Sequence, residues 1–337
     1  MIRRAIVTGG AGFVGSQLVW QLQRQVPDVQ IVVIDDMRCG TFSNLVEDPF
    51  GKAGPFKGTV IAKPLAAVDI RDIAARFEPE VIFHEAAITD TTVTDEATMI
   101  NDNADSFDTL IDVAQSVGSR LVWASSAATY GIEAGGATVA HRPFVCRDAG
   151  YPANVYGFSK WLMENQHRRA VADHRDFHMV GLRYFNVFGP SEAHKGKMAS
   201  MVYKLAMQML DGQQPRIFFD GTQARDQVYV KDVVAATIAA AADDAKAGIY
   251  NVGSGVATSF NQVVEQLNTA LGTDLSADYF DNPYSFYQAY TCADLDETRS
   301  GLGWEPSYSP EDAIVEYAHW IRGQREDSKR SLSEMKI

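Results

Sequence analysis

The chain contains 337 residues, 46% of them hydrophobic, and carries a formal net charge of −13. This size and composition allow one large or two modest domains around a substantial core. The negative charge disfavours nonspecific binding to nucleic acid, and no apolar run approaches the ~20 residues of a membrane-spanning helix.

The amino-terminal segment and the cysteines indicate an intracellular protein. Residues 1–7 lack the apolar region and cleavage site of a signal peptide. Cys39, Cys146 and Cys292 are too few and too widely spaced for a disulfide framework or a zinc site. We therefore expect free thiols, a cytoplasmic protein, no bound metal, and no membrane or nucleic-acid partner.

Short apolar segments alternate with helical patterns in the first half of the chain. This alternation is typical of a parallel sheet whose crossover helices cover both faces. The predicted helices include 14–24 and 103–117, and strands are predicted at 5–8, 31–34, 60–62, 81–84, 120–124 and 178–182.

The second half is less regular, and its charged end after Arg322 is expected to fray. No abrupt change of composition separates two lobes, so we expect them to be interleaved. Strands are predicted at 216–219 and 249–252, and helices at 197–211, 233–242, 260–271 and 310–322. The expected division is a dinucleotide-binding domain at 1–186 plus about 228–254, a smaller α/β substrate-binding lobe at 187–227 and 255–325, and a tail at 326–337.

A glycine-rich turn follows the first strand and opens the first helix. Gly9, Gly12 and Gly15 have the spacing of a turn that approaches a pyrophosphate, which the helix N-terminus then faces. Asp35 lies ~20 residues further on, where an acidic residue binds the ribose hydroxyls. The predicted fold class is therefore α/β with a doubly wound parallel (Rossmann) sheet.

The acidic residues after the second strand favour NAD over NADP. Asp35 and Asp36 would repel a 2′-phosphate unless Arg38 offsets them. The alternative for Asp36 and Arg38 is a solvated turn without a ligand.

A tyrosine and a lysine lie four residues apart, on one face of a predicted helix. Because a lysine ammonium favours the phenolate, Lys160 is expected to lower the pKa of Tyr156, which could then act as general base toward a sugar hydroxyl. Taken alone, the pair could equally be a surface i,i+4 pair. Ser126, at the end of another apolar run, adds a third polar group.

Several longer stretches resemble the extended short-chain dehydrogenase/reductase family of nucleotide-sugar enzymes, and in particular its heptose-epimerase branch. The likeness runs along nearly the whole chain. It is carried by the glycine turn and by 84–87 (HEAA), 125–131 (SSAATYG), 154–157 (NVYG), 183–190 (RYFNVFGP), 194–200 (HKGKMAS) and 287–291 (YQAYT).

The resemblance implies a two-base epimerisation of a nucleotide-diphosphate sugar, namely ADP-heptose, by a homo-oligomer holding one NAD or NADP per subunit. Tyr156 would take a proton from the C6″ hydroxyl, Lys195 would serve the opposite orientation of the sugar, and Ser126 would bind the reacting oxygen. Lys160 would lower the Tyr156 pKa and bind the nicotinamide ribose. Without the resemblance, Lys195 is explained as part of a solvated basic loop.

The resemblance also assigns ligand contacts. The implied cofactor residues are Gly9, Gly12, Phe13, Val14, Gly15, Asp35, Asp36, Arg38, Glu85, Ala86, Ala87, Thr89, Asn103, Tyr156, Lys160, Val187 and Lys195. The implied substrate residues are Asn186, Lys197, Lys204, Phe219, Asp220, Gly221, Thr222, Arg225 and Tyr287. For Lys197 and Lys204 exposure on a helix is the alternative, and for Tyr287 a buried aromatic.

Four positions depart from the family's pattern. Phe42 replaces a lysine associated with the NADP phosphate, which again favours NAD. The 88–93 loop (ITDTTV) replaces a Cys-Ser-Ser sequence, and this leaves the sugar open. Lys204 replaces a histidine, and Lys197 a frequent serine.

Two other functions remain open at this point. A nucleotide-sugar 4-epimerase of the UDP-hexose kind needs Tyr156 but not Lys195, and a non-catalytic dinucleotide-binding protein needs neither. A 4,6-dehydratase is disfavoured because Ala127 and Ala128 stand where that enzyme has an acidic pair.

Overall fold

The fold is that of a computed structural model, which describes residues 1–51, 53–90, 93, 95–131, 142–281 and 288–334. Its largest sheet has seven parallel strands in the order β3-β2-β1-β4-β5-β6-β10. These strands are β1 (Arg4–Thr8), β2 (Gln30–Ile34), β3 (Thr59–Ile61), β4 (Val81–His84), β5 (Arg120–Ser126), β6 (Met179–Tyr184) and β10 (Gly248–Val252). The predicted doubly wound parallel sheet is confirmed.

Alternate residues of the strands pack into two separate core layers. Val7 and Phe83 belong to one layer, whereas Ile6 and Ile82 belong to the other, and all four are fully buried. Strands buried on both faces have nearly continuous apolar sequences, which is why the short apolar runs predicted them correctly.

Helices cover both faces of this sheet, and further helices make up much of the second half of the chain. They are α1 (Phe13–Gln25), α2 (Ser43–Val46), α3 (Ile70–Phe77), α4 (Glu96–Ile100), α5 (Ser106–Val117), α6 (Val155–Asp173), α7 (Met201–Leu210), α8 (Val230–Ala239), α9 (Phe260–Leu271), α10 (Asp296–Leu302) and α11 (Pro310–Glu334). None of the helices in the described ranges is long and apolar enough to cross a membrane.

Five short strands form two small sheets beside the main one. β7 (Asn186–Phe188) and β9 (Ala224–Tyr229) pair in parallel, with β11 (Ala257–Ser259) antiparallel to β9. β8 (Arg216–Phe218) pairs with β12 (Asp278–Phe280). These sheets place Asn186 and Arg225 on neighbouring strands.

Several predicted helix boundaries were wrong, and the helix predicted at 233–242 is α8, Val230–Ala239. The helix predicted at 197–211 begins later, as α7, because the Ser200 hydroxyl caps Tyr203 N at 3.1 Å. Residues 197–198 instead end a 3₁₀ segment, Ala193–Met198, in which Gly196 has a φ of 54°. The helix predicted to end at Arg322 continues to Glu334, so the charged residues 323–334 are helical.

Candidate active site

The carboxyl ends of β1, β4, β5 and β6 border a cavity of about 640 Å³. The strand order reverses between β1 and β4, and open α/β sheets bind ligands at such a switch point. The volume falls within the range of small-molecule sites.

The glycine turn forms one wall of this cavity and leaves no room for side chains. Gly9 has a φ of +69°, and a Cβ there would lie 2.5 Å from Ala86 N. Helix α1 follows with Gly12 as its N-cap and no side-chain capping bond. Since the first-turn amides remain available and a helix N-terminus favours negative charge, this wall fits a pyrophosphate.

Gly15→Ala is expected to weaken dinucleotide binding at least tenfold, because its Cβ would lie 2.1 Å from Gly9 O and distort the turn. Isothermal titration with NAD measures the loss. Gly323→Ala is the matched control: a Cβ at Gly323, inside α11, meets nothing within 4 Å. Equal affinity of the Gly15 variant and the control would contradict a phosphate-binding turn.

The residues after β2 form hydrogen bonds with the glycine turn and ion pairs with acidic neighbours. The Asp35 carboxylate accepts hydrogen bonds from Ala11 N and Met37 N, both at 2.9 Å. Arg38 binds Asp36 at 2.5 Å and Asp102 at 2.6 Å. Because two carboxylates engage this guanidinium, it is poorly placed to offset the charge of Asp35 toward a 2′-phosphate.

Tyr156 and Lys160 lie in the first two turns of α6, facing the end of β5. The Asn154 side chain caps this helix through Gly157 N at 2.8 Å. Buried Lys160 donates from Nζ to Ala124 O at 2.8 Å. Helix and strand therefore bring Tyr156, Lys160 and Ser126 to one cavity wall.

The expected pKa of Tyr156 was wrong for this structure. Burial raises the pKa of Tyr156, a hydrogen bond with Ser126 lowers it, and the Glu85 carboxylate raises it. Burial also lowers the pKa of Lys160 to about 8, an effect that the Glu85 charge opposes. Tyr156 is therefore a neutral phenol at neutral pH, and a further positive charge in the cavity would ease its ionisation.

Lys195 reaches the same cavity from the 3₁₀ segment Ala193–Met198. Its Nζ lies 5.0 Å from the centre of the Phe13 ring, above the start of α1. Burial lowers the pKa of Lys195, while the charge of Glu192 raises it. A lysine with a lowered pKa exchanges a proton more readily than an exposed one, so its burial favours proton transfer over the solvated alternative.

Three of the departures from the family's pattern, namely the 88–93 loop, Lys197 and Lys204, meet at this cavity. Lys197 forms an ion pair with Asp90 at 3.0 Å, which joins the loop after β4 to the segment that carries Lys195. Lys204 donates from Nζ to the backbone oxygen of Lys197. Both lysines line the cavity, in keeping with the predicted basic contacts.

Most of the predicted residues line this one cavity, but five of those that the structure describes do not. Asn103 is buried behind its wall, bonding Ile88 N at 2.7 Å and Ser159 Oγ at 3.0 Å. The turn 219–222 lies outside it, and the Asp220 carboxylate caps Thr222 there. Tyr287 lies outside the described residues. The residues that line the cavity are Gly9, Gly12, Phe13, Val14, Gly15, Asp35, Asp36, Arg38, Glu85, Ala86, Ala87, Thr89, Ser126, Tyr156, Lys160, Asn186, Val187, Lys195, Lys197, Lys204 and Arg225.

Several lining residues were not among the predicted site residues. Tyr184 ends β6 and donates to Glu85 Oε1 at 2.9 Å. His84 Nε2 is buried without a partner among the described residues. Positions at the carboxyl ends of the predicted strands could have indicated both. His194, which begins the 194–200 stretch, also lines the cavity, as do Lys63 and Gln227, whose sequence context gives no such signal.

A doubly wound sheet with a glycine turn at its switch point and a Tyr-Lys helix pair defines a dinucleotide-dependent enzyme fold of the short-chain dehydrogenase/reductase type. The model of the NAD dependent epimerase/dehydratase family matches residues 5–253. The chain belongs to that family.

Solved structures of several nucleotide-sugar enzymes resemble this one. The Helicobacter pylori ADP-L-glycero-D-manno-heptose-6-epimerase is 36% identical, with a TM-score of 0.83, and the match covers 95% of this chain and 96% of that one. The Thermotoga maritima UDP-glucose 4-epimerase has the same TM-score at 26% identity, covering 95% and 99%. MoeE5, in complex with UDP-glucuronic acid and NAD, has a TM-score of 0.78 at 26% identity, covering 95% and 99%.

Proposed function

We propose that this protein epimerises C6″ of ADP-glycero-manno-heptose, from the D-glycero to the L-glycero form, with NAD as cofactor. The product would be a precursor of the lipopolysaccharide core. The observation that carries the proposal is that Tyr156 and Lys195, which lie on separate segments, line the same cavity. Because hydride returns from the same face of the nicotinamide, inversion requires the ketone to turn, and a second proton-transfer group can then serve its oxygen on the opposite side. This cavity has two such groups.

In this proposal each residue of the site has a role that its position in the cavity determines. A nicotinamide cofactor, when bound, supplies reversible hydride acceptance. Tyr156 would remove the proton of the C6″ hydroxyl as a phenolate, a form that the positive charge of an oxidised nicotinamide would favour. Ser126 hydrogen-bonds the reacting oxygen. After the sugar has turned, Lys195 returns a proton on the opposite side. Lys160 contributes positive charge to the wall that carries Tyr156.

The choice of NAD is supported by charge at the end of β2. Asp35 and Asp36 disfavour a 2′-phosphate, and Arg38 is paired with Asp36 and Asp102. Phe42, where the family has a lysine, is 68% exposed and offers no charge. The structure of MoeE5 contains NAD.

Incubation with ADP-D-glycero-D-manno-heptose and NAD tests the proposal, with the C6″ epimers resolved by NMR. Interconversion supports it, and its absence together with turnover of UDP-glucose would favour the 4-epimerase. That alternative is favoured by the equal TM-score of the Thermotoga maritima enzyme. If NAD binds but no nucleotide sugar is turned over, the result would favour a non-catalytic dinucleotide-binding protein.

Lys195→Met is expected to lower epimerisation about 10²-fold, because one of the two proton-transfer groups is lost. Substrate oxidation in the first half, followed as transient NADH absorbance, should persist. Lys63→Met is the matched control, since Lys63 lines the same cavity but has no proposed chemical role. A Lys195 variant with undiminished epimerisation would exclude the two-base mechanism.

A further inference from the structure

The proposed function leaves unused a carboxyl group at the end of β4. The Tyr184 hydroxyl oxygen lies 2.9 Å from Glu85 Oε1 and 2.7 Å from Thr237 Oγ1. Thr237 Oγ1 in turn lies 2.8 Å from Val233 O, inside α8. Glu85, Tyr184 and Thr237 therefore form a continuous hydrogen-bonded chain, hereafter the hydroxyl chain, from the cavity into the core.

The direction in which the hydrogen bonds of the hydroxyl chain point depends on whether Glu85 is charged. Each hydroxyl has one hydrogen to donate. If Thr237 donates its hydrogen to Val233 O, its oxygen can only accept, so Tyr184 must donate to Thr237. The Tyr184 oxygen then accepts from the Glu85 carboxyl group, which must therefore be protonated. If Glu85 is ionised, Tyr184 donates to it and Thr237 donates to Tyr184. In the second arrangement Val233 O no longer accepts from Thr237 Oγ1, but it still accepts the backbone hydrogen bond of α8. Every polar group of the hydroxyl chain therefore has a partner in both arrangements.

The groups around Glu85 allow both charge states near neutral pH. Burial raises the pKa of Glu85 to about 7, whereas the bond from Tyr184 and the charge of Lys160 lower it. Helix α6 presents Lys160 and Tyr156, β6 presents Tyr184, and β1 presents only the Thr8 carbonyl, which accepts Glu85 N at 3.0 Å. On β4 itself, burial and the charge of Lys160 lower the pKa of His84 to about 3, so its ring is neutral.

We propose that Glu85 takes up and releases one proton as the charge in the cavity changes, and that the hydroxyl chain stabilises both states by reversing its direction. On ionisation the proton leaves the Glu85 carboxyl for the cavity. Each hydroxyl keeps its own hydrogen and rotates, so no proton moves along the chain. This inference rests on the proposed use of NAD, whose ring is cationic when oxidised and neutral when reduced.

Infrared titration of the full-length protein between about pH 5 and about pH 9 tests this directly. Glu85 should give a protonated-carboxyl band that titrates near neutrality and is missing in Glu85→Gln. The difference between the two proteins is needed because burial also raises the pKa of Glu192 and Asp226. With excess NAD⁺ the midpoint should lie about one pH unit below that with excess NADH, a tenfold change in proton affinity.

Tyr184→Phe is the second variant. Because a hydrogen bond to a carboxylate is stronger than one to a neutral carboxyl group, loss of the phenol should raise the midpoint. The absence of a titrating band specific to Glu85, or equal midpoints with NAD⁺ and NADH, would overturn the proposal. Neither measurement uses a sugar, so the result is independent of whether ADP-heptose is turned over.

Discussion

Replacing Tyr156 with phenylalanine is expected to lower kcat about 10²- to 10⁴-fold, because the variant lacks the hydroxyl that would take the substrate proton. Only one oxygen is removed from a side chain that lines the cavity, so the cofactor should bind as before. Steady-state kinetics and an NAD titration on the same preparation separate the two effects.

Tyr151→Phe is the matched control for this experiment. Tyr151 lies just before α6, is 65% exposed and does not line the cavity. Its variant should retain wild-type turnover. A Tyr156 variant that keeps more than about a tenth of wild-type activity would mean that another group removes the proton, given the usual size of this effect.

Glu164→Gln is expected to lower the free energy of unfolding by about 3–5 kcal/mol. Glu164 is fully buried and accepts two hydrogen bonds from Arg183, both at 2.7 Å, and one from Ser125 Oγ at 2.8 Å. Since Arg183 is only 1% exposed, loss of the carboxylate charge leaves a buried guanidinium without its counter-ion. Urea unfolding measures the change.

Arg168→Ala provides the comparison for the buried pair. Arg168 also binds Glu164, at 2.8 Å, but its side chain is 43% exposed. Exposed ion pairs contribute little, so this variant should lose no more than about 1 kcal/mol. Equal losses in the two variants would show that burial of the Arg183 pair is not the source of the stability.

The sequence by itself determined the central sheet and the identity of the groups at its carboxyl edge. Strands buried on both faces are visible as local apolar runs, and β4 was predicted to the residue at Val81–His84. The glycine spacing and the four-residue step from Tyr156 to Lys160 are local geometry as well. Patterns of this kind need no knowledge of which distant segments meet.

Local features were also misjudged where one residue overruled a periodic pattern. The apolar and polar spacing of 197–211 is helical, yet the Ser200 cap delays the helix to Met201, and residues 197–198 belong to a 3₁₀ segment with a positive φ at Gly196. A cap and a positive φ are decided by contacts such as that of Ser200 with Glu192, which the pattern does not contain.

Only the tertiary structure decided how the groups of the site are charged. The pKa of Tyr156 depends on its burial and on Glu85, and the pKa of Glu85 depends on Tyr184, 99 residues away. The pairing of Asp90 with Lys197 likewise joins separate segments. Spacing along the chain fixes which side chains share a helix face or a strand end, whereas burial and long-range contacts fix their protonation. Sequence spacing therefore indicated residues that line one cavity, whereas the pKa of Tyr156 follows from burial and contacts that the spacing does not contain.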